Sequence, residues 1–317
     1  MRVLVIGATG AIGRAVVPVL TDSGHEVVAT SGRGGARLAE AGGTCEQLDL
    51  LDRSAVLDVV KRHHPDAIVH LATAIPAQIN PRKVGQQFVL TNRLRTEGTR
   101  NLVAAVEASN TGAGAVRLIT QSYAAYEPGH LVRREVDPLW PNPPRVYAGV
   151  VQALRELEQL TQSAHGIALR FGHLYGPGTI FAPDGSLTTQ VRAGKVPIVG
   201  SGGSLFSFVH VDDAASAVLA AVDSDSEAVL NIVDDEPTPV GVWLPRLAAM
   251  VDARPPRSVP PAIARLAIGP FGVAFMGSLS GVSNARARRT LHWRPRYATW
   301  TIGSAADFAP AVAIRES

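Results

Sequence analysis

The 317-residue chain holds one cysteine, Cys45, and three lysines, Lys61, Lys83 and Lys195. One cysteine excludes an intramolecular disulfide framework and fits a reducing compartment. As a lone residue it reads as a small buried hydrophobe rather than a reactive thiol. Net charge is low too, with 30 Lys and Arg against 27 Asp and Glu. The arginines are spread rather than striped, so nucleic-acid binding has no electrostatic footprint. No spacing of His, Cys, Asp or Glu matches a metal centre. His63-His64 before Pro65 reads as a helix end, and His210 with Asp212 and Asp213 as a helix cap at a domain junction. Long apolar runs are missing as well, because Arg265, glycines and Pro270 interrupt the stretch from Ile263 to Leu279. With no secretory h-region and cleavage site ahead of the first strand, the expectation is a cytoplasmic protein without a membrane partner.

What is present starts at the amino terminus. Val3 to Ile6 reads as a buried strand running into Gly7-Ala8-Thr9-Gly10-Ala11-Ile12-Gly13 and then a helix from Ala11 to Ser23, closed by Gly24. Glycine at 7 permits a tight turn, glycine at 10 lets the main chain approach a pyrophosphate, and glycine at 13 lets helix and strand pack closely. The helix N-terminus adds N–H groups and a positive dipole end, which makes the bend a cradle for a nicotinamide dinucleotide.

Strand and helix patterns then alternate. Strands are expected at Glu26–Thr30, Thr44–Leu48, Ala67–His70, Val116–Thr120 and Ile167–Arg170, and helices at Ala36–Ala41, Ser54–His63, Phe88–Ser109 and Tyr147–Ser163. Repeated βα units with apolar strands imply an α/β fold, a doubly wound parallel sheet of Rossmann type. Past residue 171 the pattern turns irregular, with helical pieces at Ser186–Ala193, Asp213–Val222, Val242–Val251 and Ala262–Ala267. The expected division is a dinucleotide-binding domain over 1–170, with short returns near 205–235, and a smaller mixed substrate lobe over 171–317.

These residues resemble the extended short-chain dehydrogenase/reductase superfamily, in its NAD-dependent epimerase/dehydratase branch. The likeness runs through the glycine bend, Asp49-Leu50, His70-Leu71-Ala72-Thr73, Gln121-Ser122 with Tyr126 after it, Leu169 to Gly178, Phe208 to Asp213 and Leu291 to Pro295. It implies that Gly7, Thr9, Gly10, Ala11, Ile12 and Gly13 hold the pyrophosphate and that Asp49 and Leu50 flank the adenine. It also implies that Leu71, Ala72 and Thr73 line the ribose and phosphate path, and that Phe171 and His173 pass near the nicotinamide. A mere turn residue is the alternative for Asp49. The end of the second strand, Ala29-Thr30-Ser31-Gly32-Arg33, has no carboxylate for an adenosine ribose 2′-OH. Ser31 and Arg33, with Arg37 a turn later, suit a 2′-phosphate, so NADP is expected over NAD; a solvated Arg33 is the alternative.

In the resemblance, Ser122 binds the substrate oxygen and Tyr147 is the acid/base of a Tyr-x-x-x-Lys motif, but position 151 is valine. A phenol with a pKa of about 10 is roughly one part in a thousand ionised at neutral pH, so Tyr147 without a cation is a poor base. Arg155 lies about 12 Å from Tyr147 along the helix, and Gln152 points away from position 151. Arg95 stands where the family places an asparagine before Gly98-Thr99, though a second register gives Asn92. Pointing inward, Arg95 is a fixed cation for an oxyanion or a carboxylate; pointing outward, it lies on a solvated or dimer-forming face. Tyr123 and Tyr126 offer other phenols or ordinary packing, and His173 offers a proton shuttle or a structural hydrogen bond.

Leu266 to Val282, with Phe271, Phe275 and Met276, favours an apolar or polyketide-like ligand over a nucleotide sugar, or else is core. Three functions are compatible with these residues. The first is an NADP-dependent enzyme on a carbonyl or hydroxyl carbon, by reduction, epimerisation or dehydration. The second is a non-redox isomerase, cyclase or lyase, and the third a dinucleotide-sensing binding protein. The expected partner is a small molecule, and the resemblance implies a homodimer through the helices beginning near Phe88 and Tyr147.

Overall fold

The computed structural model describes residues 1–32, 44–109, 115–129 and 131–309. Among these the first half alternates as its apolar pattern requires. Strand β1 (Arg2–Ile6) leads to helix α1 (Ala11–Asp22), then β2 (Glu26–Ser31), β3 (Thr44–Gln47), α2 (Arg53–His63) and β4 (Ala67–His70). Short helices α3 (Val84–Gln87) and α4 (Val89–Arg93) pass through a π turn (Leu94–Gly98) into α5 (Thr99–Ser109). Next come β5 (Arg117–Tyr123), β6 (Val132–Arg133), α6 (Arg145–Ser163), β7 (Ile167–Phe171) and β8 (His173–Tyr175). The expected helix over Ala36–Ala41 lies outside the described residues.

Seven strands form one sheet in the order β12-β7-β5-β4-β1-β2-β3, where β12 is Ala228–Ile232. Every ladder in it is parallel. Successive side chains leave a strand on opposite faces, and β1 shows the consequence. Val3 and Val5 join the core beneath α1, whereas Leu4 and Ile6 join the core beneath α2 and α5. A sheet covered on both faces buries its strands completely, which is why they read as continuous apolar runs.

Beyond β8 the chain builds α7 (Ser186–Arg192), β9 (Ile198–Val199), β10 (Leu205–Phe206), β11 (Phe208–His210), α8 (Val211–Val222), β13 (Thr238–Pro239) and α9 (Val240–Met250). His210 caps α8, accepting from the Asp212 N–H at 3.1 Å. An aromatic core of Tyr175, Phe181, Phe206, Phe208, Trp243 and Trp300 holds this half together. After β14 (Ser258–Val259), helix α10 (Pro261–Gly277) is longer than the sequence pattern suggests. It breaks at Gly269 (φ 68°, ψ 179°) ahead of Pro270 and then resumes, so Phe271 and Phe275 lie on a second helical segment. No helix among the described residues is long and apolar enough to cross a membrane.

The expected helix over Phe88–Ser109 is also interrupted. At the π turn, the Leu94 carbonyl accepts from His70 Nε2 at 3.3 Å, and the His70 Nδ1 accepts from the Ala72 N–H at 3.3 Å. Burial holds His70 down at about 4, so it is neutral and fastens the turn to the end of β4.

Candidate active site

The carboxyl ends of β1, β4, β5 and β7 face one cleft, the position where open α/β sheets bind ligands. At its floor the glycine bend has the shape a dinucleotide needs. Gly7 has φ +87°, and a Cβ there would sit 2.7 Å from the Ala72 backbone nitrogen; a Cβ on Gly13 would sit 2.6 Å from Ala8 Cα. Those two glycines serve the fold. Gly10 differs, because its Cβ would meet only the Gly7 carbonyl, at 3.3 Å, and the residue is exposed. No side chain caps α1 at Gly10, which leaves the helix N-terminus to an anion. The residues present therefore fit the pyrophosphate of a dinucleotide.

Other expected contacts take several forms. Ser31 is buried at the end of β2, its hydroxyl bonded to the Gly32 carbonyl at 3.3 Å and 3.9 Å from Cys45 Sγ. Glu46, level with Thr30 in the ladder, is held by Arg62 and, at 2.8 Å, by His63. Arg33 and Arg37 lie outside the described residues. Asp49 is exposed and accepts from the Leu51 N–H at 3.0 Å, the geometry of a turn residue. Leu50 and Phe171 are core side chains, Leu50 packing where Gly98 leaves no room for a Cβ. Leu71 is buried, while Ala72 and Thr73 are half-buried just past β4.

Above the bend, Tyr147 sits in the first turn of α6, buried, stacked on Phe271 at 4.3 Å and tilted against Trp140 at 6.0 Å. Burial pushes its phenol up to about 12, against the opposing pull of the Arg95 charge. Val151, one turn on, is completely buried in the cluster that holds Tyr126, Trp140 and Phe271. Tyr123 is half-buried and also feels Arg95, yet burial raises its phenol well above the ordinary value. Its hydroxyl lies 3.1 Å from His173 Nε2, and His173 Nδ1 lies 3.3 Å from the Ser207 carbonyl. A carbonyl only accepts, so Nδ1 carries the proton and Nε2 accepts from Tyr123. Burial lowers His173 to about 4, so the ring is neutral, and it stacks on Phe206 at 4.0 Å.

Two expectations need correction. Ser122 does not line the cavity of about 20 Å³ that Tyr123, Tyr147, His173 and Phe271 enclose. Its hydroxyl instead donates to Glu158 Oε1 at 2.6 Å, on the helix side of β5. Tyr126 contributes its ring to the cavity, but its hydroxyl donates to Asn231 Oδ1 at 2.8 Å and accepts from Arg170 Nη1 at 2.7 Å. Burial, only partly offset by Arg170, pushes that phenol up to about 12. Arg170 completes the network with two 2.7 Å bonds to Glu158. Glu158 and Arg170 were not anticipated, although Glu158 falls on the same helical stripe as Tyr147, Val151 and Leu154.

Arg95 faces inward, 3 % exposed, rather than onto a solvated or dimer-forming face. Burial brings its guanidinium down to about 10, and the Tyr147 and Tyr123 phenols are its electrostatic neighbours.

A seven-stranded parallel sheet with a glycine bend after its first strand, a tyrosine-bearing helix and smaller additional sheets defines a short-chain dehydrogenase/reductase type of enzyme. Residues 3–232 match the profile of the NAD dependent epimerase/dehydratase family. The chain belongs to that family and is an NAD(P)-dependent enzyme of oxidoreductase/epimerase type. It is similar to a 3-diazoavenalumate denitrifying reductase from a Streptomyces species, 42 % identical over 96 % of this chain and 99 % of that one. Among solved structures it resembles a human epimerase family protein with NADPH (TM-score 0.73, 20 % identical, covering 97 % of this chain and 98 % of that one). It also resembles the UDP-glucose 4-epimerase of Thermus thermophilus with NAD (TM-score 0.71, 22 % identical, covering 98 % and 100 %). At those identities the two structures speak for the fold.

Proposed function

We propose that this protein is an NADPH-dependent reductase that delivers hydride to a planar, electron-poor carboxylate of the diazo class, rather than to a sugar nucleotide. One observation carries the reading: position 151 is a fully buried valine, and the Tyr147 phenol is held at about 12. At that value about one phenol in a hundred thousand is ionised at pH 7. Oxidation of a hydroxyl, which needs the phenolate as base, is therefore poorly served, whereas a diazonium carbon takes hydride with no proton transfer. The name of the Streptomyces relative supports this class of acceptor.

Gly7 to Gly13 hold the pyrophosphate, and Ser31 with Arg33 receive the 2′-phosphate, in keeping with the missing carboxylate at the end of β2. When bound, a reduced nicotinamide supplies the hydride, and hydride plus diazonium gives a C–H bond and dinitrogen with no net proton uptake. Tyr147, Phe271 and His173, the last backed by Phe206, provide flat faces for a planar body and keep water from the reacting carbon. The cavity of about 20 Å³ admits little more than one water, so Phe271 and Phe275 on α10 shift when substrate enters. A second reading, carbonyl reduction, is favoured by the Tyr123–His173 bond, which keeps one phenolic proton on a relay.

The test offers NADPH together with a carboxyl-bearing aryl diazonium, an aromatic aldehyde or UDP-glucose, and follows reduced-nicotinamide absorbance and gas release. Consumption of NADPH with dinitrogen release from the diazonium alone supports the reading. Preferred turnover of the aldehyde establishes the second reading, and turnover of UDP-glucose excludes both.

A further inference from the structure

The helix α4, the π turn and α5 carry a row of buried polar atoms without hydrogen-bond partners among the described residues: Asn92 Oδ1, Arg95 Nε and Nη1, and Thr99 Oγ1. Asn92 precedes the π turn by two residues, Arg95 lies within it and Thr99 follows it directly, so the three fall within eight residues of chain. The guanidinium lies beside Tyr123 and Tyr147, and its charge helps hold His70 neutral. No ion pair among the described residues includes Arg95. A buried guanidinium without a counter-charge is unfavourable, and an apolar side chain of similar length would pack there at lower cost. The cation is therefore explained by something that arrives.

The neighbouring phenols do not supply the anion, because burial keeps both of them protonated. Nor does the cofactor, on the reading given above: its phosphates belong to the glycine bend and the end of β2, and its nicotinamide end carries no negative charge. The remaining source is the substrate. We propose that Arg95, flanked by Asn92 and Thr99, is an anion-binding centre that takes the carboxylate of a planar unsaturated acid, with the body of that acid against Tyr123, Tyr147 and Phe271. A guanidinium presents paired donors to the two oxygens of a carboxylate, which fixes direction as well as charge. The acid is then oriented by an interaction that a sugar nucleotide would make no use of.

Binding to the NADP⁺-loaded protein tests this without turnover, using cinnamate and its neutral isostere cinnamamide as probes in calorimetry. Charge-assisted bonds of this kind predict that the wild type prefers cinnamate by about 10-fold to 100-fold. In Arg95→Gln the preference falls to about twofold or less, NADP⁺ affinity stays within about twofold, and the melting temperature is unchanged or raised, since no ion pair is broken. Arg95→Lys retains part of the preference. Should Arg95→Gln fail to fold, Arg95→Met and Arg95→Lys carry the comparison; unfolding of all three makes Arg95 structural and overturns the proposal. It is equally overturned if the wild type does not distinguish the probes, if Arg95→Gln keeps the preference, or if the variant loses NADP⁺ instead. Indifference to the carboxylate in a protein that still consumes NADPH with a diazonium would sink this inference and leave the functional reading standing.

Discussion

Tyr123 and His173 form a pair with a fixed direction: the phenol donates to Nε2 across 3.1 Å, because Nδ1 is held by the Ser207 carbonyl at 3.3 Å. The imidazole is half-buried, and desolvation carries it down to about 4, so its charge does not change across the physiological range. The kcat/KM profile is accordingly expected to be flat between about pH 5.5 and 8, despite a histidine at the site. Steady-state rates over that range check it. An inflection near the ordinary histidine value of about 6.5 that disappears in His173→Asn contradicts it.

Gly10 is the glycine of the bend that the fold itself does not require, since its Cβ would meet only the Gly7 carbonyl at 3.3 Å. Gly10→Ala is expected to keep the wild-type melting temperature to within a few degrees and to lose NADPH affinity by about tenfold or more. Gly7→Ala, at φ +87° and against the Ala72 backbone, is expected to lower stability outright. Thermal melts beside cofactor titrations separate the two variants.

Val151 is fully buried in an apolar cluster, on a helix that packs against the π turn of Arg95. A lysine there would bury a second cation on the helix that packs against the turn of the first. Val151→Lys is expected to destabilise by about 3 kcal/mol or more and to give no gain in aldehyde reduction. Removing the first charge in Val151→Lys/Arg95→Asn is expected to recover part of that loss, which a denaturation double-mutant cycle measures.

Asp234 is buried, and burial pushes its carboxyl up to about 8, only partly offset by the Trp300 backbone. An acid raised from about 4 in the unfolded chain binds its proton more tightly in the folded state. Its contribution is complete below about pH 4 and is lost as the pH climbs to about 8. Asp234→Asn is therefore expected to raise the melting temperature more at pH 8 than at pH 5. Equal shifts at both values contradict this assignment.

The parts of the molecule legible in the sequence are those set by local geometry. The glycine bend announces itself because a positive φ at Gly7 and close packing at Gly13 admit no side chain. The central strands do so because burial on both faces forces unbroken apolar runs. Edge strand β12 escaped notice, as a short apolar run looks alike in strand and helix. The burial of Arg95 is not legible in the sequence, because a π turn inserts a residue and rotates everything after it by about 100° against the 3.6-residue stripe. The resemblance places Ser122 at the substrate, but its partner Glu158 lies 36 residues away in sequence, beyond the reach of any local pattern. The pattern ends a helix at Ala267, and the break at Gly269-Pro270 conceals that the chain resumes it and lays Phe271 over Tyr147.

Deuterium transfer from 4-deuterated NADPH to a carboxyl-bearing aryl diazonium, read by mass spectrometry of the organic product, tests the central claim most directly. The account predicts one deuterium at the carbon that lost nitrogen, delivered from one face of the nicotinamide only, with the other epimer of the cofactor yielding unlabelled product. Denitrified product without deuterium from either epimer, or NADPH left unconsumed while product forms, would contradict it.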